Sequence, residues 1–183
     1  GVLFSADGAE LICVPEGLEM QSYSIPEGTI RVVELAFSDC TNVSTIIIAE
    51  SVKEIGDAAF DDCNKLTEIR IPENVEKIGD APFLYCDLLE KIEVDEGNQY
   101  YSSYNGALYN KEKTELLQVP YNYDAEVYKI FDGVKVIGDH ACESTDYAGF
   151  ELPEGLEVID REAFRNNDEL AEVRLPEGVR RIE

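Results

Sequence analysis

Apolar residues recur along this chain with a step of 23 residues, and five kinds of position keep that step together. The five columns are Phe37, Phe60 and Phe83; Cys40, Cys63 and Cys86; Val43, Leu66 and Leu89; Ile46, Ile69 and Ile92; and Ile48, Ile71 and Val94. Self-similarity at a fixed period of about 20 to 50 residues is typical of solenoids, in which each repeat packs on its neighbours. The pattern predicts one continuous solenoid of stacked coils.

Two apolar groups in each unit predict the two walls of a coil. The spacing of Leu66, Ile69 and Ile71 predicts a short strand whose inward and outward side chains alternate, and successive strands would stack as a parallel sheet. A Pro-Glu-Gly or Pro-Glu-Asn step follows the strand and predicts a turn that reverses the chain. A second apolar pair, Val75 with Ile78 in one unit, would then line the opposite wall.

Between the second wall and the next strand lie a glycine and an aromatic residue. Gly56, Gly79 and Gly138 share one column, where we expect the backbone to bend. The segment Ala58-Ala59-Phe60 and its relatives predict a single helical turn whose ring plugs the coil. The expected fold is therefore a repeat solenoid that is mainly β with short helical turns.

A longer repeat of 105 residues indicates an inserted hairpin, because residues 1–15 align without gaps on residues 106–120. Each copy reads as two short strands joined by a polar turn, such as 107–109 and 116–119. A hairpin of this size is marginal by itself, so it should pack on the coils. We expect a single solenoid over 1–183, part of a longer protein, with hairpin segments at 1–24 and 95–129 and coils at 25–94 and 130–183.

The charge balance narrows the function classes. Thirty-nine acidic residues against fifteen basic ones give a net charge of −24, which would repel nucleic acid and anionic lipid. No run of 18 apolar residues occurs, so we expect no membrane insertion of this segment. A nucleic-acid partner is therefore not expected.

The repeat resembles the BspA-like class of bacterial leucine-rich repeats. Residues 52–94 match its pattern, L-x-x-I-x-I-P followed by V-x-x-I-G-x-x-A-F-x-x-C, and N-x-x-Y…G-x-L-Y…L-x-x-x-P resembles the segment that interrupts such arrays. The resemblance implies leucine-rich-repeat stacked coils with an inserted β-hairpin. It also implies an extracellular or cell-surface bacterial protein without catalytic residues or cofactors, in a family that includes proteins implicated in adhesion.

The cysteines and the lone histidine offer little chemistry at the level of sequence. Cys40, Cys63 and Cys86 lie a full repeat apart, whereas zinc sites need four converging ligands, so we expect a ladder of buried thiols and no metal site. Cys13 and Cys142 are also expected in the core. His140, the one histidine, is interpreted as a surface residue. An enzyme is therefore not expected.

Two features are candidates for contact with a partner. The outward positions of the predicted strands form a mixed-charge strip, which could equally be cross-strand charge pairing for solubility. Seven of the ten tyrosines fall between Tyr100 and Tyr128, where they could bind a partner or pack the insert on the coils. The candidate contact residues are Thr45, Ile47, Glu68, Arg70, Lys91, Glu93, Glu151, Glu172, Arg174, Tyr100, Tyr101 and Tyr104.

These observations favour an interaction module that binds a protein or glycan ligand. The alternative is a structural spacer that projects another domain and has no ligand of its own. Reversing Arg70, Lys91 and Arg174 together would weaken ligand attachment in the first case and change nothing in the second.

Overall fold

Short β-strands arranged in two walls form a β-solenoid in the computed structural model, which describes residues 1–183. The strands are β1 (Leu3–Phe4), β2 (Glu10–Cys13), β3 (Ser22–Ser24), β4 (Arg31–Val32), β5 (Thr45–Ile47), β6 (Glu54–Ile55), β7 (Glu68–Ile71), β8 (Lys77–Ile78), β9 (Lys91–Val94), β10 (Tyr101–Tyr104), β11 (Ala107–Asn110), β12 (Glu115–Gln118), β13 (Val127–Lys129), β14 (Val136–Ile137), β15 (Gly149–Glu151), β16 (Val158–Ile159) and β17 (Arg181–Ile182). No helix is long and apolar enough for a membrane crossing.

The first wall consists of the longer strands. Strands β3, β5, β7 and β9 form a parallel sheet in which Glu68 pairs with Thr45 on one side and with Lys91 on the other. Strands β13 and β15 form a separate two-stranded parallel sheet, which Glu172 extends by a single bridge to Gly149. The predicted parallel stacking at one-repeat steps is confirmed.

The second wall consists mostly of two-residue strands, which form where the second apolar pair was predicted. One of its sheets has the order β1-β2-β4-β6-β8, and the other has the order β10-β11-β12-β14-β16-β17. Only β1 with β2, β10 with β11, and β11 with β12 are antiparallel. The inserted hairpin is thus present as β11 and β12, with β10 as a third strand on its outer side.

The aromatic segment between the walls contains no helical turn, in contrast to the sequence-based expectation. Alternate backbone N–H groups donate to the following coil, as from Phe60 to Pro82 (2.9 Å) and from Asp62 to Leu84 (2.9 Å). Ala58 and Asp62 adopt left-handed backbone angles (φ 47° and 55°). An α-helix needs these N–H groups for its own carbonyls, so bonding between coils excludes it.

The glycine column serves close packing rather than a bend. Gly56 does not have a positive φ, but a Cβ added to it would lie 2.4 Å from the backbone nitrogen of Glu34 in the preceding coil. At Gly79 the added Cβ would lie 2.6 Å from the nitrogen of Asp57. The coils therefore approach each other here more closely than a side chain permits.

The interior is filled by ladders of identical residues. The rings of Phe37, Phe60 and Phe83 are fully buried and stacked, with centroids 5.1 and 5.3 Å apart. These rings belong to a core of 27 buried residues, and a second core of 15 lies in the C-terminal half. Strand β11 separates them, because Leu108 packs in the first core and Tyr109 in the second.

A buried asparagine fixes the start of the insert. The Asn98 side chain is fully buried and donates to the carbonyls of Pro72 and Val75, both at 2.9 Å. Its Oδ1 accepts the N–H groups of Tyr100 and Tyr101, both at 2.8 Å. Every hydrogen-bonding atom of this amide is used, which offsets the cost of burying it.

Candidate functional site

The outward residues of the first wall form the surface that we call the strand face: Thr45, Ile47, Glu68, Arg70, Lys91, Glu93, Glu151, Glu172 and Arg174. All nine are exposed, because strand alternation directs their neighbours Ile46, Ile69 and Ile92 into the core. The structure thus places these residues as the sequence predicts. Their role in binding stays a prediction.

The basic residues of the strand face are paired with carboxylates. Arg70 bonds Glu50 across neighbouring coils at 2.8 Å and also bonds Asp95. Lys91 bonds Glu93 at 2.7 Å, and these bonds raise the pKa of both Arg70 and Lys91 above its usual range. The strand face therefore presents a balanced charge pattern and no free basic patch.

Ile47 is the apolar residue at the centre of the N-terminal part of the strand face. It exposes 54% of its surface beside a shallow depression of about 260 Å³, which Thr45, Glu68, Arg70 and Glu93 also line. An exposed apolar side chain ringed by polar residues is the local arrangement of many interaction surfaces. Ile47 and Arg70 are therefore the strongest contact candidates here.

The insert divides the strand face into two parts. Between β9 and β13 lies a polar depression of about 700 Å³, lined by Glu90, Lys91, Asn105, Gly106, Asn122, Tyr123 and Asp124. Beyond it Glu151, Glu172 and Arg174 border a second depression of about 510 Å³ together with Val127 and Phe150. A ligand that contacts the whole strand face would have to span the insert.

The tyrosines of the insert mostly pack on the coils, which is one of the two interpretations that the sequence offered. Tyr109, Tyr121 and Tyr128 are buried, and burial raises the pKa of each. Of the three candidate contact residues, Tyr101 is half-buried and its hydroxyl accepts the Ile78 N–H at 2.7 Å. Tyr100 and Tyr104 are exposed, although Tyr104 packs edge-on against Phe131.

The cysteine column is the predicted ladder of buried thiols. The Cys63 thiol donates to the Phe37 carbonyl at 3.3 Å and the Cys86 thiol donates to the Phe60 carbonyl at 3.2 Å. Burial raises the pKa of Cys40 to about 11, and it raises the pKa values of Cys63 and Cys86 further. Thiols held in this way are poor metal ligands and poor nucleophiles.

The two remaining cysteines differ. Cys142 is buried as predicted, but the core assignment of Cys13 is wrong because that side chain is exposed. Leu11 in β2 and Val14, just after the strand, face the core, and Cys13 lies outside it.

His140 is not the plain surface residue that the sequence suggests. Its side chain is only 18% exposed, its Nδ1 contacts Glu143 Oε2, and Glu162 Oε2 lies 3.7 Å away. The Glu143 side chain is almost completely buried, at 1% exposure. The sequence contains a signal for this cluster, His-x-x-Glu at 140–143 with a second glutamate one coil later. That signal can be interpreted only once the structure shows that the three side chains face each other.

The arrangement of stacked strands, turns and core ladders defines the class of leucine-rich-repeat solenoids. The sequence matches the BspA type Leucine rich repeat region, in six copies over residues 16–133 and 135–183. The chain belongs to this family. Leucine-rich repeats are generally modules for binding other molecules, because their stacked repeats create extended surfaces. No curated protein matches the chain.

Solved structures of bacterial repeat proteins share the fold. The pneumococcal vaccine antigen PcpA is 26% identical, with a TM-score of 0.78 over 88% of this chain and 40% of its own. A leucine-rich cell surface protein from Faecalibacterium prausnitzii is 24% identical, with a TM-score of 0.71 over 92% of this chain and 52% of its own. The T. pallidum leucine-rich-repeat protein TpLRR is 22% identical, with a TM-score of 0.57 over 100% of this chain and 82% of its own. The chain thus spans about half the length of the first two.

Proposed function

We propose that this chain is a non-catalytic interaction module of a bacterial cell-surface or secreted protein, and that it binds a protein or glycan ligand through the strand face. The observation that carries the proposal is the row of exposed side chains along the first wall, with Ile47 at the centre of its N-terminal part. The names of two similar structures, a vaccine antigen and a cell surface protein, support the location.

The binding region we favour is the part of the strand face formed by β5, β7 and β9. There the backbone is fixed by parallel pairing on both sides of β7, so binding costs little ordering of the chain. The ion pairs of Arg70 and Lys91 are exposed and contribute little to folding, on the order of 1 kcal/mol or less each. The Arg70 and Lys91 side chains are therefore free to contact a ligand. Reversing their charge should leave the fold intact.

The test is a binding screen against extracellular-matrix proteins and glycans, followed by variants of the chain. Replacing Arg70, Lys91 and Arg174 by glutamate should weaken binding of a captured ligand, and Ile47→Asp should weaken it independently. A matched control reverses Lys53, Lys77 and Arg180, which carry the same charge on the second wall and also pair with glutamates. Equal loss in both triple variants would show a general charge effect and contradict the proposed face.

The second candidate function is a structural spacer that projects another domain. The observation in its favour is the pairing of every basic strand-face residue with a carboxylate, which also serves solubility. A spacer predicts that no ligand is captured in the screen. It also predicts that strand-face variants keep the activity of any domain attached to the solenoid.

A further inference from the structure

We infer that His140, Glu143 and Glu162 form a binding site for one divalent transition-metal ion of the zinc type. One ligand atom from each, His140 Nδ1 and a carboxylate oxygen from each glutamate, lies within 4.8 Å of the other two. Two ligands on a tetrahedral zinc ion at bonds of about 2.1 Å are about 3.4 Å apart. The observed separations bracket that value, since His140 Nδ1 lies 3.7 Å from Glu162 Oε2 and contacts Glu143 more closely.

The repeat itself brings these residues together. His140, Cys142 and Ser144 donate their N–H groups to the carbonyls of Arg161, Ala163 and Arg165, which fixes two coils in register. His140 and Glu162 both have φ of 57°, so the same backbone geometry directs both side chains out of adjacent coils.

Glu143 completes the set from within one turn. Its N–H donates to the His140 carbonyl at 3.1 Å, so the turn returns the glutamate to the histidine. At the left-handed positions equivalent to His140, two earlier coils carry alanine, Ala58 and Ala81, which offers no ligand atom.

Hydrogen bonds from neighbouring side chains orient the Glu143 carboxylate, as they do for ligating carboxylates in metal sites. Its Oε1 accepts a hydrogen bond from Asn166 Nδ2 at 3.2 Å and another from the Tyr85 hydroxyl at 3.5 Å. Its Oε2 is the oxygen that faces His140. Outer hydrogen bonds of this kind orient ligating carboxylates and are part of most metal sites.

Arg165 forms ion pairs with the carboxylates of Glu143 and Glu162 in the structure. Arg165 bonds Glu162 Oε2 at 2.6 Å and lies 3.8 Å from Glu143 Oε1. A metal ion at the three ligands would take over this charge compensation, so the guanidinium and the ion compete. Arg165 is exposed on its outer side and can turn away into solvent.

The donor set selects the class of ion. One imidazole nitrogen and two carboxylate oxygens suit Zn²⁺, Co²⁺, Ni²⁺ or Cu²⁺, whereas Mg²⁺ and Ca²⁺ prefer ligand sets made entirely of oxygen. Three protein ligands leave a tetrahedral ion one position for water or for a group from a bound molecule. The site is therefore open.

The experiment titrates the chelator-stripped chain with Zn²⁺ by calorimetry and with Co²⁺ by visible absorption, in excess Mg²⁺. Cys13→Ser is the background, because that exposed thiol would otherwise bind both ions. We expect one saturable equivalent, and Co²⁺ bands without the near-ultraviolet absorption of thiolate ligation.

Three variants and a control separate a metal site from a salt-bridge cluster. His140→Ala and Glu162→Gln should each weaken binding at least about 10-fold, while Arg165→Gln should tighten it because the competing cation is gone. Glu172→Gln removes the same charge on the strand face and should change nothing. Alanine occupies left-handed positions in other coils, so His140→Ala should fold, and its unfolding transition in chelator checks this.

Two outcomes overturn the inference. The first is the absence of saturable binding in excess Mg²⁺, which would leave the cluster as an ion-pair network. The second is saturable binding that persists at full strength in His140→Ala or Glu162→Gln. Neither outcome bears on ligand capture by the strand face.

Discussion

At the scale of single residues, two glycines lie where the backbone of the preceding coil comes too close for a side chain. Gly56 and Gly79 are not in the left-handed region, so another residue could adopt their backbone angles. The obstacle is the preceding coil, whose backbone atoms lie within 3 Å of where a Cβ would be placed. These atoms belong to the hydrogen-bonded stack and cannot easily move.

Gly56→Ala should therefore destabilise the protein by about 1–3 kcal/mol or more through overpacking. Gly155→Ala is the matched control, because a Cβ there meets nothing within 4 Å and its φ is not positive. That variant should be neutral or more stable by about 0.4–1 kcal/mol, through loss of unfolded-state entropy. Urea unfolding measures both changes, and equal effects would contradict the packing explanation.

The thiols provide a second prediction at this scale. In the folded protein one cysteine, Cys13, should react quickly with a thiol reagent, because the other four are buried with raised pKa values. All five should react after denaturation. Rapid native labelling of Cys63 or Cys86 would show that the ladder opens readily.

At the scale of elements, the aromatic segment of each coil is stabilised by its neighbours rather than by its own hydrogen bonds. Phe60 has a stacked phenylalanine on each side, and the flanking turns donate N–H groups to the next coil. The sequence predicted the plugging ring correctly. It did not predict the turn geometry, because bonding between coils is a long-range effect that local propensity does not contain.

Phe60→Ala should cost about 3–5 kcal/mol, the usual loss for a fully buried phenylalanine. Phe164→Ala should cost less, since Phe164 is only half-buried and contacts one ring, that of Phe150. The two free energies of unfolding can be compared by chemical denaturation. A larger loss of unfolding free energy for Phe164→Ala than for Phe60→Ala would contradict the assigned role of the stacked phenylalanines.

At the scale of the whole molecule, stacking of the coils brings acidic side chains of neighbouring repeats close to one another, as with Asp39 and Asp62. Burial and then neighbouring aspartates raise the pKa values of Asp61 and Asp62, and burial followed by Asp146 raises that of Asp87. Each of these groups binds protons more readily in the folded state, so stability falls as pH rises above the ordinary aspartate pKa of 3.8. The net charge of −24 acts in the same direction.

Groups with lowered pKa values act at lower pH. Glu54, bonded to Lys77, stabilises the folded state above its ordinary pKa of 4.5 and loses this contribution as pH falls below that value. We therefore expect the unfolding temperature to rise as pH is lowered from 7 towards the ordinary carboxyl pKa values, and to fall in stronger acid, where Glu54 loses its charge.

Asp62→Asn should raise the unfolding temperature at pH 7, because it removes a charge that burial and Asp39 disfavour. The gain should shrink as pH falls towards the aspartate pKa, where Asp62 itself becomes neutral. Asparagine also tolerates the left-handed backbone at this position. Thermal scans across this pH range provide the measurement. A variant that is equally or less stable than the parent at pH 7 would contradict the destabilising effect assigned to the Asp62 charge.

The repeat and its core were determined by the sequence alone, because a solenoid converts a fixed chain period into fixed spatial neighbours. Once Phe37, Phe60 and Phe83 are in one column, their stacking follows, and so does the exposure of Arg70 and Lys91 between buried isoleucines. The strand face was therefore predictable as a surface.

What only the tertiary structure decided depends on distances between coils and on turn geometry. The close approach at Gly56, the gap that the insert opens in the strand face, and the meeting of His140, Glu143 and Glu162 all arise there. The last depends on left-handed turns that hydrogen bonds between coils hold in place, and no local pattern in the sequence specifies those bonds.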